Sequence, residues 1–185
     1  VTILEEDEYE EWLADQKSYY LSNIRGTEGD PNTNMLLPAE ITQRRQEFNQ
    51  EADTALETSE DDDNTLTLEY VTFETGSEQL TEFSSYQLDD AINFLKENAD
   101  VSVMLKGHTD NTGDATVSYT LSDRRATEVR MYLLQGGIDA QRMSSAGYGL
   151  ANPVADNATE DGRQANRRTE LYVTRGALPV STPSK

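Results

Sequence analysis

The segment from Val101 to Gln135 constrains the fold most, because it joins the periodicity of a strand to that of a long helix. Apolar residues alternate with others in VSVMLK, the period-two pattern of a β-strand, and Gly107 ends it. After the turn at Gly113, apolar residues recur four or eight positions apart up to Gly136-Gly137, which predicts one helix. They are Val117, Leu121, Val129 and Leu133. We therefore predict a strand, a short loop and a helix with these four residues on its inward face.

Two oppositely charged residues lie on either side of this predicted loop. Asp110 follows the end of the strand, and Arg125 lies on the helix, four positions from an apolar residue in each direction. Arg125 therefore shares the inward face, where a guanidinium needs a fixed anionic partner. A carboxylate and a guanidinium that line one crevice suit a zwitterionic ligand. Arg124 lies on a different face, where we expect an ion pair with Glu128 one turn later.

The flanking sequence predicts further strands and helices. Alternation from Leu66 to Tyr70 indicates a strand, and the segment after Gly76 has the apolar stripe of a helix. Beyond the long helix, MSSAGYGLANP predicts a short strand, DNATEDG a loop and ANRRTELYV a final strand. The order β-α-β-α-β-β suits a two-layer α+β sandwich better than a doubly wound sheet.

Four motifs in this order resemble the C-terminal domain of the OmpA family. They are GHTDNTG, LSDRRATEVRMYL, SSAGYGLANP and DGRQANRRTELYV. The resemblance spans residues 65–174 and implies the two-layer sandwich with a mixed sheet. It also implies a non-catalytic domain that binds the meso-diaminopimelate of the peptidoglycan stem peptide. A periplasmic location with outer-membrane association, and attachment to an envelope complex or a membrane-anchored parent, follow from the same resemblance.

The resemblance also implies roles for individual residues. Asp110 would accept the side-chain ammonium of diaminopimelate, and Arg125 would bind its free carboxylate through two hydrogen bonds. Thr109 precedes the aspartate in the same motif. Ser118 stands where many family members have asparagine, so it would reach less far towards the stem peptide. Thr75, in the loop ETGSEQL, is expected on the rim of the pocket.

Other polar residues are expected to be structural. In Asn166-Arg167-Arg168, the NRR of the last motif, one arginine would tie the final strand to the acidic loop before it, with support of binding as the lesser alternative. His108 is the only histidine and the chain has no cysteine, so we expect His108 to pack rather than to bind a metal. We expect no cofactor. Neither DNTGD nor Asp61-Asp62-Asp63 has the oxygen spacing of an EF-hand calcium loop.

Charge limits the possible partners. With 35 acidic and 15 basic residues, the formal net charge is -20, and such a surface repels nucleic acid and anionic lipid. An acid-rich hydrolase is a poor alternative, since no pair of acids is flanked by the aromatic and polar residues that bind sugars. The remaining alternative is an OmpA-like scaffold that has lost ligand binding and makes only protein contacts.

The N-terminal third is expected to be an appendage. Residues 5–24 predict an amphipathic helix, residues 26–34 are turn formers, and Pro38 precedes a second helix with a thin apolar face around Phe48. SEDDDN then indicates a solvated linker. Two helices with so little apolar surface either pack on the domain that follows or act as a mobile spacer, and we favour the spacer. We interpret residues 1–64 as an acidic helical segment and linker, 65–176 as the compact domain and 177–185 as a disordered tail.

Overall fold

A computed structural model of the chain describes residues 36, 38–57, 64–74 and 76–178. The helices are α1 (Pro38–Glu57), α2 (Ser84–Glu97), α3 (Ala115–Gln135) and α4 (Glu160–Asn166). The strands are β1 (Thr65–Thr67), β2 (Val101–His108), β3 (Met143–Gly149) and β4 (Thr169–Arg175). The chain divides into two compact units, residues 1–38 and residues 39–185, and α1 belongs to the second unit from residue 39 onwards. The predicted helix at 5–24, the turn at 26–34 and the tail from residue 179 lie outside the described residues.

The four strands form one mixed sheet in the order β1-β4-β2-β3. β4 is antiparallel to both β1 and β2, whereas β2 and β3 run parallel. This confirms the predicted α+β fold with a mixed sheet. The predicted order lacked α4, which lies partly in the segment expected to be a loop, because seven residues without an apolar stripe give no helical periodicity.

The core lies between the central strands and the helices. The apolar residues of β2 and β4 with at most 1% exposure are Val101, Val103, Leu105, Leu171 and Val173. Leu88 and Leu95 of α2 and Val129 and Leu133 of α3 belong to the same buried cluster. Burial of one such side chain contributes roughly 1.5–3 kcal/mol. Among the described residues, no helix is long and apolar enough to cross a membrane.

The inward face of α3 differs from the prediction in its first half. Val117 is 63% exposed, and the buried residues of α3 are Ser118, Ser122, Ala126, Val129 and Leu133. The cause is a close approach to the sheet: a Cβ at Gly107 would collide with the carbonyl oxygen of Ser122, and one at Gly147 with the backbone of Asp123. Only small side chains fit in this half of the interface, so an apolar pattern could not reveal it.

α1 packs against the core, so the interpretation of this helix as a spacer is wrong. Phe48, Ala52 and Ala55 are at most 5% exposed and belong to the main buried cluster. The rings of Phe48 and Phe94 meet edge to face with centroids 6.1 Å apart. Arg45 Nε donates to Asp90 Oδ1 at 2.6 Å. The thin apolar stripe misled the prediction, because alanines complete the buried face.

Replacing Phe48 with alanine should lower the free energy of unfolding by about 3–5 kcal/mol, since it leaves a cavity against Phe94. Urea unfolding of the purified chain measures the change. Gln46→Ala on the exposed face of α1 is the matched control and should stay within about 0.5 kcal/mol of wild type. If both variants unfold like wild type, α1 does not contribute to the core in solution.

Candidate functional site

Asp110 lies in the loop between β2 and α3, buried and held by its neighbours. Its Oδ1 accepts hydrogen bonds from the backbone nitrogen of Thr112 at 3.0 Å and from Thr112 Oγ1 at 2.6 Å. Its Oδ2 accepts one from Arg167 Nη1 at 2.6 Å. Burial alone would raise the pKa of Asp110, but the bonds from Thr112 and Arg167 outweigh it and lower that pKa. The carboxylate is therefore ionised at neutral pH and oriented by three donors.

Arg125 is half-buried on α3 and has no ion pair within the described residues. Its Nε donates to the carbonyl oxygen of Ser77 at 2.9 Å, and its guanidinium carbon lies 4.8 Å from the centre of the Phe73 ring. Burial, with the charge of Arg167, lowers the pKa of Arg125 despite the opposing charges of Glu78 and Asp110. Two contacts thus orient a cation to which no carboxylate of the described residues lies within 4.0 Å.

A tight turn presents Ser77 to Arg125. The backbone nitrogen of Glu74 donates to Gln79 O at 2.9 Å, and that of Ser77 donates to Glu74 O at 3.0 Å. Gly76 has a φ of 69°, a left-handed conformation that favours glycine. The loop expected at the rim therefore does reach the arginine. Thr75 itself lies outside the described residues.

Arg167 is the residue of this site that the sequence interpretation missed. It follows α4, and besides Asp110 it donates through Nη2 to Glu160 Oε1 at 2.7 Å and to Gln164 Oε1 at 2.6 Å. These bonds, to Glu160 first and Asp110 second, raise the pKa of Arg167. The predicted tie to the acidic segment is confirmed through Glu160. The contact with Asp110 spans 57 positions and leaves no local signal.

Thr109 and Ser118 support the loop that carries Asp110. The backbone nitrogen of Thr109 donates to Gly149 O at 2.8 Å, while its hydroxyl oxygen is buried without a partner in the described part of the chain. Ser118 is buried against the same loop, where a Cβ on Gly113 would lie 3.0 Å from its Oγ. The roles of Thr109, Ser118 and Thr75 in binding stay predictions.

His108 and Glu170 lie close together at the end of β2. The imidazole stacks on Tyr148 with centroids 5.3 Å apart, as expected of a packed histidine. Its Nε2 lies 3.3 Å from Glu170 Oε2. Burial would raise the pKa of Glu170, yet His108 and Arg168 lower it to about 2. No cluster of histidine and acidic residues suited to a metal occurs among the described residues.

A groove of about 310 Å³ lies along the first turns of α3, and we call it the α3 groove. It is lined by Gly76 and Glu78 on one side and by Val117, Thr120, Leu121 and Arg124 of α3 on the other. Neither Asp110 nor Arg125 is among its lining residues.

The predicted pair of Arg124 with Glu128 is not formed within 4.0 Å, as far as the described residues show.

The fold is thus an α+β domain, and its candidate site has an ionised aspartate and a half-buried arginine without an ion pair among the described residues. The chain belongs to the OmpA family, whose model matches residues 72–167, and this confirms the resemblance found in the motifs.

Known proteins share this domain but not this length. Outer membrane porin F of Pseudomonas aeruginosa is 38% identical over 104 residues, which are 56% of this chain and 30% of that protein. Peptidoglycan-binding protein ArfA of Mycobacterium tuberculosis is 42% identical over 79 residues, 43% of this chain and 24% of that protein. The peptidoglycan-associated lipoprotein from Burkholderia pseudomallei superimposes with a TM-score of 0.53 at 26% identity, over 56% of this chain and 87% of that one. The chain spans less than half the length of porin F and of ArfA.

Replacing Arg167 with alanine should raise the pKa of Asp110, because it removes one of the groups that stabilise the carboxylate. A carboxyl-detected NMR titration measures this directly. Arg163→Ala is the matched control, since Arg163 also binds Glu160 but makes no contact with Asp110. An unchanged pKa in Arg167→Ala would show that the contact does not persist in solution.

Replacing Glu170 with glutamine should lower stability only where the native carboxylate is ionised. The folded pKa of about 2 lies below the ordinary 4.5, so the charged form stabilises the protein above pH 4.5 and this contribution disappears as pH falls towards 2. The shift corresponds to about 3 kcal/mol. Urea unfolding at several pH values gives the difference from wild type, with the exposed Glu128→Gln as control. A difference independent of pH would contradict the assignment.

Proposed function

We propose that this chain binds peptidoglycan without catalysis, through the diaminopimelate of the stem peptide, and so tethers an outer-membrane or periplasmic assembly to the cell wall. The observation that carries the proposal is Arg125, a half-buried guanidinium that no carboxylate of the described residues approaches within 4.0 Å. A desolvated cation without an anion is unfavourable, and a ligand carboxylate supplies the missing charge.

The contacts of Arg125 determine how such a carboxylate would approach. Because Nε already donates to Ser77 O, the two terminal nitrogens remain for the ligand. They favour an end-on bidentate pair, and Phe73 behind the guanidinium limits its rotation. An arginine fixed on two sides loses little conformational entropy when the ligand arrives.

Asp110 would bind the ammonium on the same carbon of diaminopimelate. An ionised carboxylate offers about four acceptor positions, and Thr112 and Arg167 use three of them. The ammonium would therefore take the free position on Oδ2, beside Arg167. The lowered pKa of Asp110 keeps the acceptor charged throughout the neutral range.

The names of relatives support the same function. ArfA is described as peptidoglycan-binding, the Burkholderia protein as peptidoglycan-associated, and porin F as an outer-membrane protein. We propose a periplasmic, outer-membrane-associated location on this ground. We propose residues 65–176 as the binding module, with α1 as an additional packed element, and we expect no turnover of purified cell-wall sacculi.

A scaffold that has lost ligand binding is the second candidate. It is favoured by the bond between Arg167 and Asp110, since the carboxylate expected to accept an ammonium already has a cationic partner. Ser118 adds to this case, because it is shorter than the asparagine that many members have. In this alternative, the two charged residues would stabilise the loop and bind nothing.

Binding should discriminate diaminopimelate from lysine at the third position of the stem peptide. Lysine lacks the carboxylate, so Arg125 would stay unpaired at a cost of about 1–3 kcal/mol, and affinity should fall at least about tenfold. Calorimetric titration with two muropeptides that differ only at this residue measures the ratio. Equal affinities would exclude Arg125 as the group that recognises the carboxylate.

Four single substitutions distinguish the proposed binding site from the rest of the surface. Asp110→Ala and Arg125→Ala should each lose about 2–5 kcal/mol of binding and no longer co-sediment with sacculi. Asp100→Ala and Arg175→Ala remove the same charges from an exposed pair at the other end of the sheet and should bind like wild type. Retention of all four variants would mean that the binding site lies elsewhere, whereas failure of wild type to co-sediment would favour the scaffold.

A further inference from the structure

We infer that Arg124 binds a second carboxylate of the same stem peptide, which would lie in the α3 groove. The inference rests on the proposed function and extends it to the neighbouring residues of the peptide. Arg124 is exposed, lines the groove and has no carboxylate within 4.0 Å among the residues that the structure describes. It is thus a second cation without a counter-charge at this edge of the domain.

The α3 groove adjoins the site of Arg125 through one turn of the chain. Ser77, whose carbonyl oxygen accepts the bond from Arg125, stands between Gly76 and Glu78, which form one wall of the groove. Arg124 is also the chain neighbour of Arg125 on α3. A ligand held by Arg125 therefore has the α3 groove as an adjacent surface.

The lining of the α3 groove suits a short peptide with an anionic group. Leu121 and Val117 offer apolar contact, and Val117 is 63% exposed although it is a large apolar side chain. The volume of about 310 Å³ is at the lower end of the range for small-ligand sites, roughly 300–1,000 Å³. Glu78 places a negative charge on the opposite wall, which would direct a carboxylate away from that wall and towards Arg124.

The stem peptide carries two further carboxylates on the residues next to diaminopimelate. Apart from the carboxylate proposed for Arg125, one lies on the glutamate that precedes diaminopimelate and one at the C-terminus of the alanine that follows it. Each belongs to a residue adjacent to diaminopimelate, and one residue of extended chain spans about 3.3–3.6 Å. Both carboxylates have the same chemistry, so the experiment must distinguish them.

Calorimetric titration with three soluble diaminopimelate tetrapeptides tests the inference. One is unmodified, one has the free glutamate carboxylate converted to an amide, and one has a C-terminal amide. Arg124→Ala should bind the unmodified peptide about three- to fivefold more weakly than wild type, the range of a partly exposed ion pair. Arg124→Lys should retain part of the affinity, and Arg175→Ala is the matched control for loss of one positive charge.

Comparison of the two amides identifies the carboxylate. When the carboxylate that Arg124 binds is converted to an amide, binding to wild type should weaken by the same factor as the Arg124→Ala substitution causes. The same amide should not weaken binding to the Arg124→Ala variant any further. If Arg124→Ala binds all three peptides with the affinity of wild type, the inference is wrong. It is also wrong if the two amides lower the affinity of Arg124→Ala by the same factor. In that case binding that still depends on Asp110 and Arg125 would leave the proposed function intact. Absence of any binding by wild type would overturn both.

Discussion

The close approach of α3 to β2 and β3 is the constraint on which the rest of the domain depends. Gly107 and Gly147 leave no side chain between sheet and helix, so the backbone of α3 around Ser122 lies directly against both strands. Ser122 Oγ accepts a hydrogen bond from the backbone nitrogen of Gly149 at 2.9 Å, which joins the helix to the end of β3. This contact fixes the position of α3 on the sheet, and therefore the positions of Asp110 in the loop before α3 and of Arg125 on the helix. A larger residue at either glycine would displace both charges together.

The site is organised before any ligand is present. Thr112 and Arg167 orient the carboxylate of Asp110, and Ser77 and Phe73 orient the guanidinium of Arg125. The two residues differ in their partners: the acid has a cationic partner, whereas the base has no anionic one among the described residues. The free energy that the proposed ligand would gain is therefore expected to be larger at the arginine. In the proposed function the carboxylate of the ligand, more than its ammonium, would decide affinity.

The sequence predicts those parts of the fold and of the candidate site that depend on residues close together in the chain. Alternation and helical spacing predicted β2, α3 and the position of Asp110, because these signals are local. The buried face of α3 was predicted in its second half only, since Ser118 and Ser122 are buried by the approach of two backbones and not by their own apolarity. α1 was misjudged because small alanines fill its interface. Arg167 was assigned to structure because its partner Asp110 is distant in the chain.

In the proposed function a strongly acidic protein binds an acidic polymer, and it would have to rely on contact more than on long-range attraction. At a net charge of -20 the whole chain repels anions, but at physiological salt this repulsion is screened beyond about 8 Å. A half-buried guanidinium is screened much less at contact distance, so Arg125 can attract one carboxylate while the surrounding surface repels others. The charge of the surface would then act as a filter against anions that do not fit the site. In the proposed function, selectivity would follow from the placement of one cation rather than from the total charge.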